Sequence, residues 1–212
     1  ITDKGTVEMS AELAAHVITI GKTSYHLGMG GLHSMESNAV HYSDDERELS
    51  DHDVASYYPS LILRTGIYPV QIGAVFLEIY RGWYETRLAA KHAGDKKRAN
   101  SLKTLLNGTF GKLWSPYSIY YAPAEGVQVT VTGQLALLML IELLESAGVS
   151  VVSANTDGIV LSTPRYLLPV RDAILKYWEA ITGFETERTQ YRMIMSRDVN
   201  SYVAITNDGE VK

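Results

Sequence analysis

Hydrophobic positions along the chain switch between two periods, and the switches mark its elements. Residues 9 to 20 place Leu13, Val17 and Ile20 on one side of a helical wheel and predict a short helix, followed by a glycine-rich turn around Gly28, Gly30 and Gly31. The acidic stretch with Asp44, Asp45, Glu46 and Glu48 reads as irregular, and a strand-like segment ends near Asp53. Pro59 disfavours helix at Tyr58, so a turn is expected there. From Ile72 to about Ala93, Val75, Ile79, Trp83 and Leu88 recur at helical spacing. Gly94 is a natural stop and Asp95 is placed to cap a second helix, so the pair should form an antiparallel hairpin. A longer helix is predicted from Ala124 to Ala147, closed by Gly148, although β-branched residues early in it weaken the pattern. Val149 to Ala154 and Ile159 to Ser162 form two β-rich runs around Asn155, Thr156, Asp157 and Gly158, the signature of a β-hairpin. Pro169 to Thr182 reads as helix, and strands are expected near Gln190 to Met195 and Tyr202 to Thr206. This order implies an α+β fold, a sheet with helices on one face. Neither internal repeats nor a low-complexity linker interrupts it.

Composition narrows the chemistry. At 212 residues, 46% of them hydrophobic, the chain can bury one sizeable core, or one core with an appended lobe. It has no cysteine, which excludes disulfides and thiolate metal sites and leaves Asp, Glu, His or backbone oxygens to hold any metal, a donor set suited to hard divalent ions. The start of the chain has no apolar run of a signal peptide and no initiator Met, which hints at an excised segment. The most apolar stretch, Leu135 to Leu144, falls short of the roughly 20 residues that span a bilayer. The expectation is a cytoplasmic protein with no membrane partner. Net charge is −5, yet Arg87 to Lys112 holds seven basic residues against the single acid Asp95, a local +6 that leaves −11 on the remainder. A basic arm on an acidic body suits an anionic ligand held near carboxylate-bound cations, and equally describes two solvated helix faces.

Three segments carry candidate chemistry, each with a blander reading beside it. In DVASYYPSLIL, Asp53 stands at a strand end before a tight aromatic turn, where it could hold a divalent ion or simply cap the turn. In KTLLNGTFGK, Lys103, Asn107, Phe110 and Gly111 fall at i, i+4, i+7 and i+8, putting a cation, an amide, a ring and a gap on one helix face. Such a face can bind a nucleotide, with the ring stacking on a base; it can also be an amphipathic helix with Phe110 in the core. In SANTDGIVL, Asp157 sits at a hairpin tip, where Asp-Gly is also a common purely structural turn.

In order and content these segments resemble the three signatures of family B DNA polymerases, DxxSLYPS, KxxxNSxYG and YxDTDS. Arg87 and Lys91 in RLAAK match the RxxxK element that precedes the second. Upstream, GMGGLHS is similar to a Gly-Gly element that contacts template in protein-primed phage relatives, through Gly30 and Gly31 here. DVNSYVAI aligns loosely with a Lys-x-Tyr primer-grip element, with Asn200 where Lys is expected and Tyr202 in place. The third signature also departs: its first acid is Asn155 and its terminal Ser is Gly158.

The resemblance implies a polymerase palm, a mostly antiparallel sheet backed by helices, with a two-helix fingers insertion. The implied layout is a pre-palm segment over 1–50, palm over 51–71, fingers over 72–112 and palm again over 113–212. It implies template-directed, phage-like DNA synthesis on primer-template DNA from dNTPs. Asp53 and Asp157, with the Val54 carbonyl, would hold two Mg²⁺ ions roughly 3.5 to 4 Å apart, with Mn²⁺ as a substitute. Lys103, Arg87 and Lys91 would hold the triphosphate, Asn107 the incoming nucleotide, and Tyr58 would pack under the sugar and exclude a 2′-hydroxyl. Phe110 would keep stacking without the family's tyrosine hydroxyl, and Gly111 would admit the base. Two rivals remain: a polymerase-like module that binds without catalysing, because Asn155 and Asn200 replace charged groups, and a two-metal nuclease, which needs no triphosphate clamp. The chain is short for this family, so exonuclease and thumb segments are expected elsewhere and synthesis by these residues alone should be weak and distributive.

Overall fold

In the computed structural model, which describes Thr2 and residues 5–212, the elements in chain order are α1 (Ala11–Ala14), β1 (Val17–Ile20), β2 (Thr23–Leu27), β3 (Leu32–Ser34), β4 (Ala39–Tyr42), β5 (Arg47–Val54), α2 (Tyr57–Thr65), α3 (Val75–His92), α4 (Lys96–Lys112), α5 (Pro123–Ser146), β6 (Ser150–Asn155), β7 (Gly158–Pro164), α6 (Leu168–Thr182), β8 (Thr186–Asp198) and β9 (Ser201–Thr206). The first residues of the expected pre-palm segment, Ile1, Asp3 and Lys4, lie outside the described residues. The fold is α+β with a mostly antiparallel sheet. The chain divides into two compact units, one of residues up to 9 and 56–133, the other of 10–55 and 134–212.

The second unit holds the sheet, in the order β1-β2-β3-β6-β7-β5-β8-β4, with β9 also pairing β8. Strand β5 lies between β7 and β8, antiparallel to both, and its alternation sorts polar groups onto opposite faces. Glu48, Ser50 and His52 are buried on one face. There the Arg171 guanidinium of α6, only 1% exposed, donates to Glu48 Oε1 at 2.6 Å and Ser50 Oγ at 3.2 Å. Arg188 and Gln190 of β8 complete the shell around Glu48. Burial pushes the Glu48 carboxyl upward, but the two guanidiniums more than reverse this and hold it below the usual carboxylate range. Trp178 of α6 is fully buried and donates to the Ala136 carbonyl at 2.8 Å.

The first unit is helical. Asp95 caps α4 by accepting from the Arg98 N–H at 3.0 Å, after Gly94 at φ +74° ends the preceding turn, and the Tyr80 hydroxyl ties α3 to α4 through the Leu106 carbonyl at 2.9 Å. Buried Ala99, Leu106 and Thr109 mark the inner side of α4.

Several local expectations change. The helix expected over 9–20 shrinks to α1, because Val17–Ile20 is a β-branched run that pairs with β2 instead. Pro59 does not end a helix: it sits in the first turn of α2, where its missing N–H costs no hydrogen bond. The acidic stretch is irregular only to Glu46; Glu48 is inside β5, neutralised by its arginines. Helix α5 continues through its β-branched residues to 24 residues, long and apolar enough to cross a membrane by length and composition, and its Leu137, Leu140, Ile141 and Leu144 are buried within the protein.

Because the Glu48 carboxylate and the Arg171 guanidinium are both shut away from water, removing Arg171 leaves the buried carboxylate with only Gln190 and the partly exposed Arg188. Arg171→Met should cost about 3–5 kcal/mol in urea unfolding, and pairing it with Glu48→Met should recover much of that loss. A single-variant cost under about 1 kcal/mol would refute this account of the interior.

Candidate active site

The opposite face of β5 carries Asp51 and Asp53, two residues apart and therefore on the same side of the sheet. Register places Asp53 across from Gly158 on β7 and Glu187 on β8, and Asp51 across from Val160 and Thr189. Next to Gly158 is the two-residue tip of the β6–β7 hairpin, Thr156 and Asp157. The Asp157 carbonyl accepts the Val54 N–H at 2.7 Å, fastening the end of β5 to that tip. Asp51, Asp53, Asn155, Asp157, Tyr191 and Tyr202 line a shared cavity of about 220 Å³.

Thr156 holds φ at +61°, an outlier for a β-branched side chain. Two contacts impose it: its N–H donates to the Leu32 carbonyl at 2.8 Å, and Gly31 lies so close that a Cβ there would meet the Thr156 Cα at 3.0 Å. Gly31 thus has a packing role against the hairpin tip, whereas a Cβ on exposed Gly30 would meet nothing within 4 Å.

Asp51 did not stand out in the sequence. Its carboxyl is pushed up to about 6, first by burial and then by the charges of Asp53 and Asp157, with the Tyr191 hydroxyl donating to its Oδ2 at 2.6 Å in partial compensation. Burial, then the hydrogen bond to Asp51, raises the Tyr191 hydroxyl. Burial, then Asp51 and Asp53, raises that of Tyr202. An Asp-x-Asp spacing within a strand is the signal that would have found it. The cluster therefore gathers negative charge at some cost, with Asp53 and Asp157 exposed where a cation can reach them. All its side-chain donors are oxygens, which suits a hard divalent ion; among the described residues no three His, Asp or Glu side chains form a ready metal cage.

Two of the departures from the resembled elements, Asn155 and Asn200, touch each other. Asn155 Nδ2 donates to the Val199 carbonyl at 3.3 Å and to Asn200 Oδ1 at 3.5 Å. Where the resembled family expects an acid and a lysine, this chain pairs two neutral amides.

In the helical unit, a second group assembles. The Tyr58 ring stacks on Phe110 with centroids 4.2 Å apart and planes 8° from parallel. One face of Phe110 is thus occupied by Tyr58, and the ring is half-buried rather than in the core. Arg87 Nη1 donates to Oγ of Ser56, a residue held at φ +53° just before α2, while its Nε is buried without a hydrogen-bond partner. Lys103, Asn107 and Gly111 are exposed along α4 on the side expected from their spacing, and Lys91 is exposed in the last turn of α3.

No family model matches this chain, and no curated protein matches it by sequence. Among solved structures, it is similar to the family B DNA polymerase from the hyperthermophilic archaeon Pyrobaculum calidifontis, with a TM-score of 0.64 and 16% sequence identity over 84% of this chain. That alignment covers 27% of the archaeal polymerase. The likeness establishes a polymerase-like fold over a fragment of that larger chain.

Asp51 titrates near 6 in the folded protein against about 3.9 when unfolded, so the folded state binds more protons between these values and stability falls as pH rises through the window. The penalty is absent below about pH 4 and complete above about pH 6. In EDTA, Asp51→Asn should gain stability relative to the parent by about 2–3 kcal/mol between pH 4 and pH 7.5, read from urea unfolding at each pH. A pH-independent difference would contradict the assignment.

Proposed function

We propose that this chain is the catalytic core of a family B-like DNA polymerase, transferring nucleotides from dNTPs to a primer 3′-hydroxyl under template direction. The observation that carries the proposal is the convergence of Asp53 and Asp157, from distant parts of the chain, on one cavity, with the Val54 N–H next to Asp53 donating to the Asp157 carbonyl. The polymerase-like fold supports the same reading. DNA is then the expected partner, with exonuclease and thumb functions supplied by further segments.

Asp53 and Asp157, with the Val54 carbonyl, would hold the Mg²⁺ ions. Magnesium typically takes one or two carboxylates and completes its shell with water and substrate phosphates, so a ready protein cage is not required. When bound, the ions supply the positive charge that makes a primer hydroxyl nucleophilic and offsets the charge of the leaving pyrophosphate. The protein's own share is positioning and electrostatics, as in phosphoryl transfer generally. Lys103, Arg87 and Lys91 hold the triphosphate, and Asn107 orients the nucleotide. Tyr58 packs under the sugar and excludes a 2′-hydroxyl, with Phe110 bracing its ring by stacking. Gly111 leaves room for the base; Gly30 and Gly31 meet the template, and Asn200 and Tyr202 the primer end.

The rival reading, a module that binds without catalysis, draws on Asn155 and Asn200. Their mutual contact makes them one local exchange of charge for amides that leaves Asp53 and Asp157 intact, which favours the catalytic reading.

Primer extension with Mg²⁺ and all four dNTPs should show slow, distributive synthesis by the parent. Asp53→Ala or Asp157→Ala should each lower it by more than ~10²-fold, beyond the loss from removing a residue that only orients a metal ligand. Absence of both extension and Mg²⁺-dependent dNTP binding would overturn the polymerase reading; binding alone would leave the non-catalytic module.

A further inference from the structure

We infer that Gly158 is a positioning residue for Asp53: the missing side chain on β7 is the seat of the Asp53 carboxylate. The inference rests on the metal-holding role proposed above for that carboxylate. A Cβ built on Gly158 would overlap Asp53 Oδ1 and stand 3.3 Å from its Cγ, while the Asp53 Cα, at 3.6 Å, would be in ordinary contact. The conflict is with the end of a side chain and not with the backbone. A serine at 158, the residue of the resembled signature, can therefore enter the sheet, but only by displacing the carboxylate.

The surroundings explain why the carboxylate takes this seat. Directly across on β8 stands Glu187, a like charge on the same face of the sheet, at a spacing where opposed like charges repel. Along β5 on that face stands Asp51, a second carboxylate two residues away. The side toward β7 is left open by Gly158, and Gly158 immediately follows Asp157. Lying over Gly158 thus brings the Asp53 carboxylate toward the hairpin tip and the carboxylate it must act with. Filling the notch sends it back toward Glu187.

The test is Mn²⁺ binding by the parent chain and by Gly158→Ser, Glu187→Gln and their combination, read from the EPR signal of free Mn²⁺, with melting temperatures for each and Asp53→Asn as the control for the site. Gly158→Ser is expected to melt with the parent and to bind Mn²⁺ about 10- to 100-fold more weakly, the range for groups that orient metal ligands. Adding Glu187→Gln should restore most of that affinity, while in the parent background it changes little, a coupling that a purely structural role would not produce. Equal affinity of Gly158→Ser and the parent would overturn the inference alone, as would a loss that appears only with melting or that Glu187→Gln fails to relieve. Absence of Asp53-dependent Mn²⁺ binding in the parent would overturn the proposed function and this inference with it.

Discussion

Strand β5 has to be polar on both faces, and the organisation of the sheet unit follows from how each face is satisfied. Toward α6, Glu48 is bonded by Arg171, Arg188 and Gln190, and Ser50 shares its hydroxyl with both Arg171 and His52 Nε2. Burial, then the charges of Arg171 and Arg188, pulls His52 down to about 3, so it stays neutral there. Toward the cavity, burial and then the charges of Asp53 and Asp157 act on Asp51 against the Tyr191 hydrogen bond and the charge of Lys212. A strand with ladder bonds to both β7 and β8 cannot slip register to relieve this, because a one-residue shift would exchange the two faces.

The interior network and the carboxylate face therefore bear on each other. Buried ion pairs contribute little net stability beyond an apolar core, but breaking one is costly, so they fix an arrangement more firmly than they strengthen it. Here the arrangement fixed is the one that holds Asp51, Asp53 and Asp157 near one another against repulsion. Burial first, and then that repulsion, raises the Asp51 carboxyl.

The departures from the polymerase signatures gain meaning once placed in space. Asn155 and Asn200, far apart in sequence, share a hydrogen bond, so an acid and a base are absent together rather than one alone. Gly158, read along the chain as the loss of a serine, is the space into which Asp53 fits. Phe110, expected to offer its ring to a base, already has one face against Tyr58 and so steadies the residue proposed to sort sugars.

Much was legible in the sequence because it is governed by local rules. Periodicity located α3, α4, α5, α6 and the β6–β7 hairpin, Asp95 announced its cap, and the three signatures pointed to Asp53, Asp157 and the exposed face of α4. Where local rules mislead, the reason is that nonlocal partners decide. Val17–Ile20 became a strand because β2 was there to pair with it, and Glu48 could enter a strand because two arginines awaited it. Asp51 joined the site by alternation along β5, whereas Gly158 became the notch for Asp53 through register between strands that meet only in the folded sheet. Chemistry carried by residue type and short spacing belongs to the sequence; chemistry that depends on which strand lies opposite, and on what charge it carries, belongs to the tertiary structure.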